Sequence, residues 1–123
     1  MPLRSIIPTP RIDILLPAKE RFSPSNAGAI SGVVRDLART SKATKQFRVI
    51  GTNVETSLMP EHFTGLMPKR RWLNGHNIGL AAAYLDLIHK TGAPDLTEVH
   101  SRCHVAHYLV QKLPSLNVTL YLH

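Results

Sequence analysis

Two short runs rich in apolar and β-branched residues, Asp95 to His100 and Val118 to His123, each end on a histidine. In open parallel sheets, ligands bind beyond the carboxyl ends of the strands. An imidazole at that place can donate to a developing oxyanion or move a proton near neutral pH. It can equally be a strand-end histidine satisfied by backbone groups. Two residues past His100, Arg102 carries a planar fork suited to a carboxylate or phosphate. Ala27 and Gly28 form a second candidate. Small residues ahead of a helical pattern let backbone N–H groups approach a phosphate at the helix start, where the dipole also favours anions. The same residues suit a tight turn packed against a sheet, with Ser25 or Asn26 as the cap.

His100, Cys103, His104 and His107 are spaced i, i+3, i+4, i+7, and on one continuous helix they would share a face able to hold Zn²⁺ or Ni²⁺. A strand ending at His100 breaks that alignment, so no metal is expected. Lys69, Arg70, Arg71 and Trp72 join basic charge to an interfacial aromatic residue. Such a cluster suits an anionic membrane surface, each charge contributing about 1 kcal/mol. A solvated basic loop with Trp72 packed on the core has the same composition.

Fifteen Lys and Arg against eight Asp and Glu give a formal charge of +7, which favours anionic partners. Aromatic residues are only 6% and do not interleave with the basic cluster as a stacking surface would, so nucleic acid is not expected among those partners. One cysteine, Cys103, excludes an intrachain disulfide and fits a reducing compartment. No apolar run approaches the roughly 20 residues that span a bilayer. The start of the chain lacks the sustained apolar stretch of a signal peptide, and a cytoplasmic location is expected. A chain of 123 residues can form one domain with a real core and hardly two.

The elements that must position these residues follow from hydropathy patterning. Residues 1–10 hold three prolines and read as an extended leader, with one domain from 11 to 123. Arg11 to Leu16, closed by Pro17, is a buried strand. After a polar loop, Ile30, Val33, Val34, Leu37 and Ala38 fall at helical spacing from Gly28 onward. Phe47 to Ile50 is a second strand, which completes one βαβ unit. The stretch from Thr52 to Arg71 is the least legible, with one short strand expected near Phe63 to Met67. A long helix from about Asn74 to Lys90 is stopped by Gly92 and Pro94. Strand Leu96 to Val99, a helix from about Cys103 to Leu113 and strand Val118 to Leu122 complete a second unit. The expected fold is α/β, a Rossmann-like three-layer sandwich with a mostly parallel sheet of four or five strands.

The ordered set Ile-Asp-Ile-Leu-Leu-Pro, Ala-Gly-Ala-Ile-Ser, Phe-Arg-Val-Ile-Gly-Thr, Asp-Leu-Thr-Glu-Val-His-Ser-Arg and Val-Thr-Leu-Tyr-Leu-His resembles the N-terminal half of a family 4 glycosyltransferase. The bacterial enzymes that build lipopolysaccharide and other surface glycans are the most similar. The resemblance implies the acceptor-side domain of a GT-B enzyme, which passes a sugar from a nucleotide-sugar donor to a glycan or lipid-linked acceptor without a metal or other cofactor. It implies a catalytic or sugar-contacting role for His123 and substrate contacts for Ala27, Gly28, His100 and Arg102. Ala27 stands where relatives commonly have a first glycine, and Ser101 and Cys103 depart from the usual Val-His-Asn-Arg-Pro pattern. The donor domain's Glu-x7-Glu element is not in this chain, because no two of Glu20, Glu55, Glu61 and Glu98 are eight apart. The chain alone is therefore expected to be inactive, with peripheral contact at the inner membrane face through residues 69–72. The alternative is a non-catalytic Rossmann-like module that binds an anionic ligand or a partner chain.

Overall fold

The computed structural model describes residues 11–24, 34, 46–69 and 75–122. Five strands, β1 (Arg11–Leu15), β2 (Gln46–Thr52), β3 (Phe63–Leu66), β4 (Leu96–His100) and β5 (Val118–Tyr121), form one sheet in the order β3-β2-β1-β4-β5. Every pairing is parallel. Two helices, α1 (Gly75–Thr91) and α2 (Cys103–Lys112), follow β3 and β4. The α/β class with a five-stranded parallel sheet is thus as expected, and the strands and helices lie within one or two residues of where patterning puts them.

The strand order explains why both sheet faces are covered. From β1 the chain steps outward through β2 to β3, then crosses back beyond β1 to β4 and on to β5. Parallel crossovers are right-handed, so reversing the direction of travel moves the connecting segment to the opposite face. One core joins Leu15, Ile50 and Val99 of the sheet to Ile78, Ala81, Tyr84 and Ile88 of α1 and to Val105 and Leu109 of α2. The other core, on the reverse face, gathers Ile12, Ile14, Leu16, Val49, Phe22 and Met59 with Val34. Val34 is helical and wholly buried; the other residues of the helix expected after Gly28 lie outside the described set.

The poorly legible middle has a simple cause. Parallel neighbours usually need a crossover helix, yet β2 and β3 are joined by the irregular segment 53–62. That segment is held by contacts from afar: the Leu58 N–H donates to the Phe22 carbonyl at 3.0 Å and Met59 is buried in the second core. Local pattern carries no trace of such a crossover.

Two glycines in or beside α1 answer to geometry. Gly92 (φ +89°) ends the helix, donating its N–H to the Ile88 carbonyl at 2.7 Å in the left-handed conformation glycine tolerates. Gly79 lies against the chain itself: Lys69 donates its N–H to the Gly79 carbonyl at 2.9 Å, and any β-carbon at Gly79 would collide with the Lys69 carbonyl. No helix among the described residues is long and apolar enough to cross a membrane.

Candidate functional site

The switch in strand order falls between β1 and β4, and ligand crevices of open α/β sheets lie outside the carboxyl ends of strands at such a point. Here β1 runs out through Leu15, Leu16 and Pro17, while β4 ends on His100 and leads into α2 through Ser101 and Arg102. These residues, with Asn77 of α1 and Val105 of α2, line a narrow crevice. It is too tight to admit a water molecule.

His100 and Arg102 are therefore brought together in one wall. His100 is 1% exposed, stacks on Tyr121 with ring centroids 5.2 Å apart, and has its Nε2 3.8 Å from Glu98 Oε1. Arg102 is half-buried and begins α2, its carbonyl accepting from the Val105 N–H at 3.1 Å. Its guanidinium forms no ion pair among the described residues; one N–H donates to the Ser101 carbonyl at 3.3 Å. Between them Ser101 adopts φ +68°, unusual outside glycine, with its N–H given to the Tyr121 carbonyl at 2.7 Å. Backbone strain of this kind clusters at functional sites.

Ala27, Gly28, Arg70, Arg71, Trp72 and His123 lie outside the described residues. Lys69 is half-exposed and its ammonium is ion-paired with Asp86 of α1. The hydrogen bond from Lys69 holds the Asp86 carboxyl below the usual carboxylate range. This lysine's charge is thus engaged within the chain, leaving it less free for a membrane surface. His100 belongs to β4 whereas Cys103, His104 and His107 are exposed on α2, and no group of three metal-ligating side chains exists among the described residues.

Two features escaped sequence reading. On the β3 side of the same carboxyl edge, Ala18, Lys19, Arg21, Thr52, Met67, Pro68 and His76 surround a basin of about 360 Å³. Asn77 marks the divide between basin and crevice, because its Oδ1 accepts the Ala18 N–H at 2.8 Å. Lys19 and Arg21 sit in what patterning reads as an ordinary polar loop; a Lys-Glu-Arg triplet straight after the first strand was the available signal.

The second is a buried polar network beneath α1. Register sets Asp13 of β1 opposite Arg48 of β2 and Thr97 of β4. Arg48 clasps the Asp13 carboxylate with two N–H groups, at 3.0 and 2.8 Å, and Tyr84 donates its hydroxyl to the same carboxylate at 2.7 Å. Thr97 Oγ1 lies 2.7 Å from the Tyr84 hydroxyl. Burial opposes the charge on Arg48, but the bond to Asp13 and its attraction outweigh this and raise the pKa. Burial, and then Asp13, push the Tyr84 phenol far above its ordinary value.

A group whose pKa is raised by folding contributes stability below its unfolded pKa and loses it as pH climbs. Stability should therefore fall above pH ~10, where an unfolded tyrosine ionises. The Tyr84→Phe variant should be less stable at pH 7 by about 1 kcal/mol yet show a flatter alkaline limb. Urea titrations between pH 7 and 11 measure both, and parallel alkaline limbs would exclude Tyr84 as the source.

Compared with family models, curated proteins and solved structures, the chain matches none.

Proposed function

We propose that this chain is the acceptor-side half of a GT-B glycosyltransferase that transfers a sugar from a nucleotide-sugar donor to a glycan or lipid-linked acceptor. The supporting observation is the coincidence of the resembling segments with the sheet's working edge. Ile-Asp-Ile-Leu-Leu-Pro is central strand β1 with its exit, and Glu-Val-His-Ser-Arg is the end of β4 at the switch in strand order. In this reading Arg102 steadies an anionic or hydroxyl-rich group by its fork of donors, and His100 backs it from within the sheet. His123 supplies the imidazole that contacts the transferred sugar. Gly28 and Ala27 are assigned the contact to the diphosphate, and the nucleotide-sugar is held mainly by a second domain.

Purified 1–123 is expected to turn over no nucleotide-sugar. Translation of the DNA beyond codon 123 should yield a second Rossmann-like segment with Glu-x7-Glu. Co-expression of that segment should restore transfer, and His123→Ala in the pair should lower kcat by roughly 100-fold or more. An unrelated sequence downstream, or transfer indifferent to His123→Ala and Arg102→Ala, would refute the reading.

The second reading, a non-catalytic module that holds an anionic ligand, is favoured by the basin beside Lys19 and Arg21, since no carboxylate among the described residues lines it.

A further inference from the structure

The geometry points to the basin at the carboxyl ends of β1 to β3 as a binding site for a small soluble phosphate monoester that carries an apolar group. This deepens the anion-module reading and needs no transfer chemistry, so the two proposals fail independently.

Four observations carry it. First, the lining is electrically one-sided: Lys19, Arg21 and His76 face the space and, among the described residues, no acidic side chain does. Neither Lys19 nor Arg21 forms an ion pair among the described residues, in contrast to Lys69 and Arg48, whose charges are engaged by Asp86 and Asp13. Lysine as a point charge and arginine as a fork together suit a phosphate.

Second, the cationic turn is held firmly before any ligand arrives. Ala18 gives its N–H to Asn77 Oδ1 at 2.8 Å, and its carbonyl accepts from Thr52 Oγ1 at 2.7 Å. Glu20 N–H closes the turn on the Pro17 carbonyl at 3.0 Å, and Phe22, just past Arg21, is wholly buried. Cations on a fixed turn lose less freedom on binding than cations on a mobile loop.

Third, α1 begins at this wall with no acidic residue in its first turn, so the positive end of a 17-residue helix adds to the same field.

Fourth, the space is too large for a bare ion. A volume of 360 Å³ is about twelve times the ~30 Å³ share of one liquid water. Its far wall is Met67 and Pro68, and Met67 is 73% exposed. An apolar group attached to the phosphate would cover that thioether, while the phosphate meets the cations opposite.

The test is calorimetric titration of the purified chain with phenyl phosphate, phenol and inorganic phosphate, and of the Lys19→Ala/Arg21→Ala variant with phenyl phosphate. Both substituted side chains are exposed, and circular dichroism checks that the variant keeps its fold. Phenyl phosphate should bind saturably and tighter than either fragment, and the double variant should lose about tenfold or more in affinity. Lys112→Ala, at the far end of α2, should leave binding unchanged. Equal binding by phenol, or affinity unchanged in the double variant, would overturn the assignment. So would capture of the chain by phosphatidic acid vesicles, dependent on Lys19 and Arg21, with phenyl phosphate ignored.

Discussion

Replacing Asp13 by alanine is expected to cost about 3–5 kcal/mol, the range for removing one partner of a buried ion pair. Arg48, whose side chain is 21% exposed, would keep its charge with only Thr91 Oγ1, 3.2 Å away, as a described side-chain partner, and Tyr84 would lose its carboxylate acceptor. A small domain has only about 5–15 kcal/mol in all, so the loss is a large share of the total. With a urea dependence near 1–3 kcal/mol per molar, the midpoint should move by at least about 1 M. Far-UV circular dichroism in urea measures it. A control separates the ion pair from the space it fills: Asp13→Leu with Arg48→Met removes both charges together and should recover much of the loss, because a well-packed apolar pair can match a buried ion pair. A cost below about 1 kcal/mol for Asp13→Ala would mean that solvent reaches Arg48 well enough to replace the carboxylate.

The second large effect is expected at Phe22. This ring is 0% exposed, stacks on Phe63 with centroids 5.6 Å apart and 25° between planes, and belongs to the core that holds Val34 and Val49. Phe22→Ala should cost about 3–5 kcal/mol, the transfer of the ring plus the cavity left behind. A second consequence follows from position. Phe22 is the buried anchor of the turn that presents Lys19 and Arg21, and its carbonyl also fastens Leu58 of the β2–β3 crossover. Where the variant remains folded, phenyl phosphate should bind it more weakly although no cation has been removed. Phe22→Leu, which keeps most of the apolar volume, should retain more of both properties. Loss of stability without loss of binding would show that the turn is held by Ala18's two hydrogen bonds alone.

The basic loop shows where charge counting stops being informative. Lys69 stands in the basic cluster that suits anionic headgroups, and its ammonium also meets Asp86, seventeen residues on in α1. Conversely, Lys19 and Arg21 belong to no conspicuous cluster, and it is the fold that leaves them facing an open space with no counter-ion among the described residues. The net charge of +7 is the same in either arrangement. Which cations are engaged depends on contacts that composition does not contain.

Element type and order were legible because they follow from short-range periodicity. The short apolar run through Arg11 to Leu16, helical spacing from Ile78 to Ile88 and the Gly92–Pro94 stop are properties of neighbouring residues, and they sufficed for a parallel α/β fold. They also put His100 at the end of β4, beside Arg102. The irregular path from Asn53 to His62 was not legible, since it is held by Phe22 from a distant loop. Nor was the Asp13 network: an aspartate inside an apolar strand is only an anomaly until register sets Arg48 and Thr97 on either side and α1 lowers Tyr84 onto it. The sequence by itself thus determined which segments are strands and helices and which residues stand at their ends. Tertiary structure alone decided the order of the strands, the partners of the buried charges and the basin beside Lys19 and Arg21. The physical reason is that periodicity is written within a few residues, whereas register and cavities arise between segments dozens of residues apart.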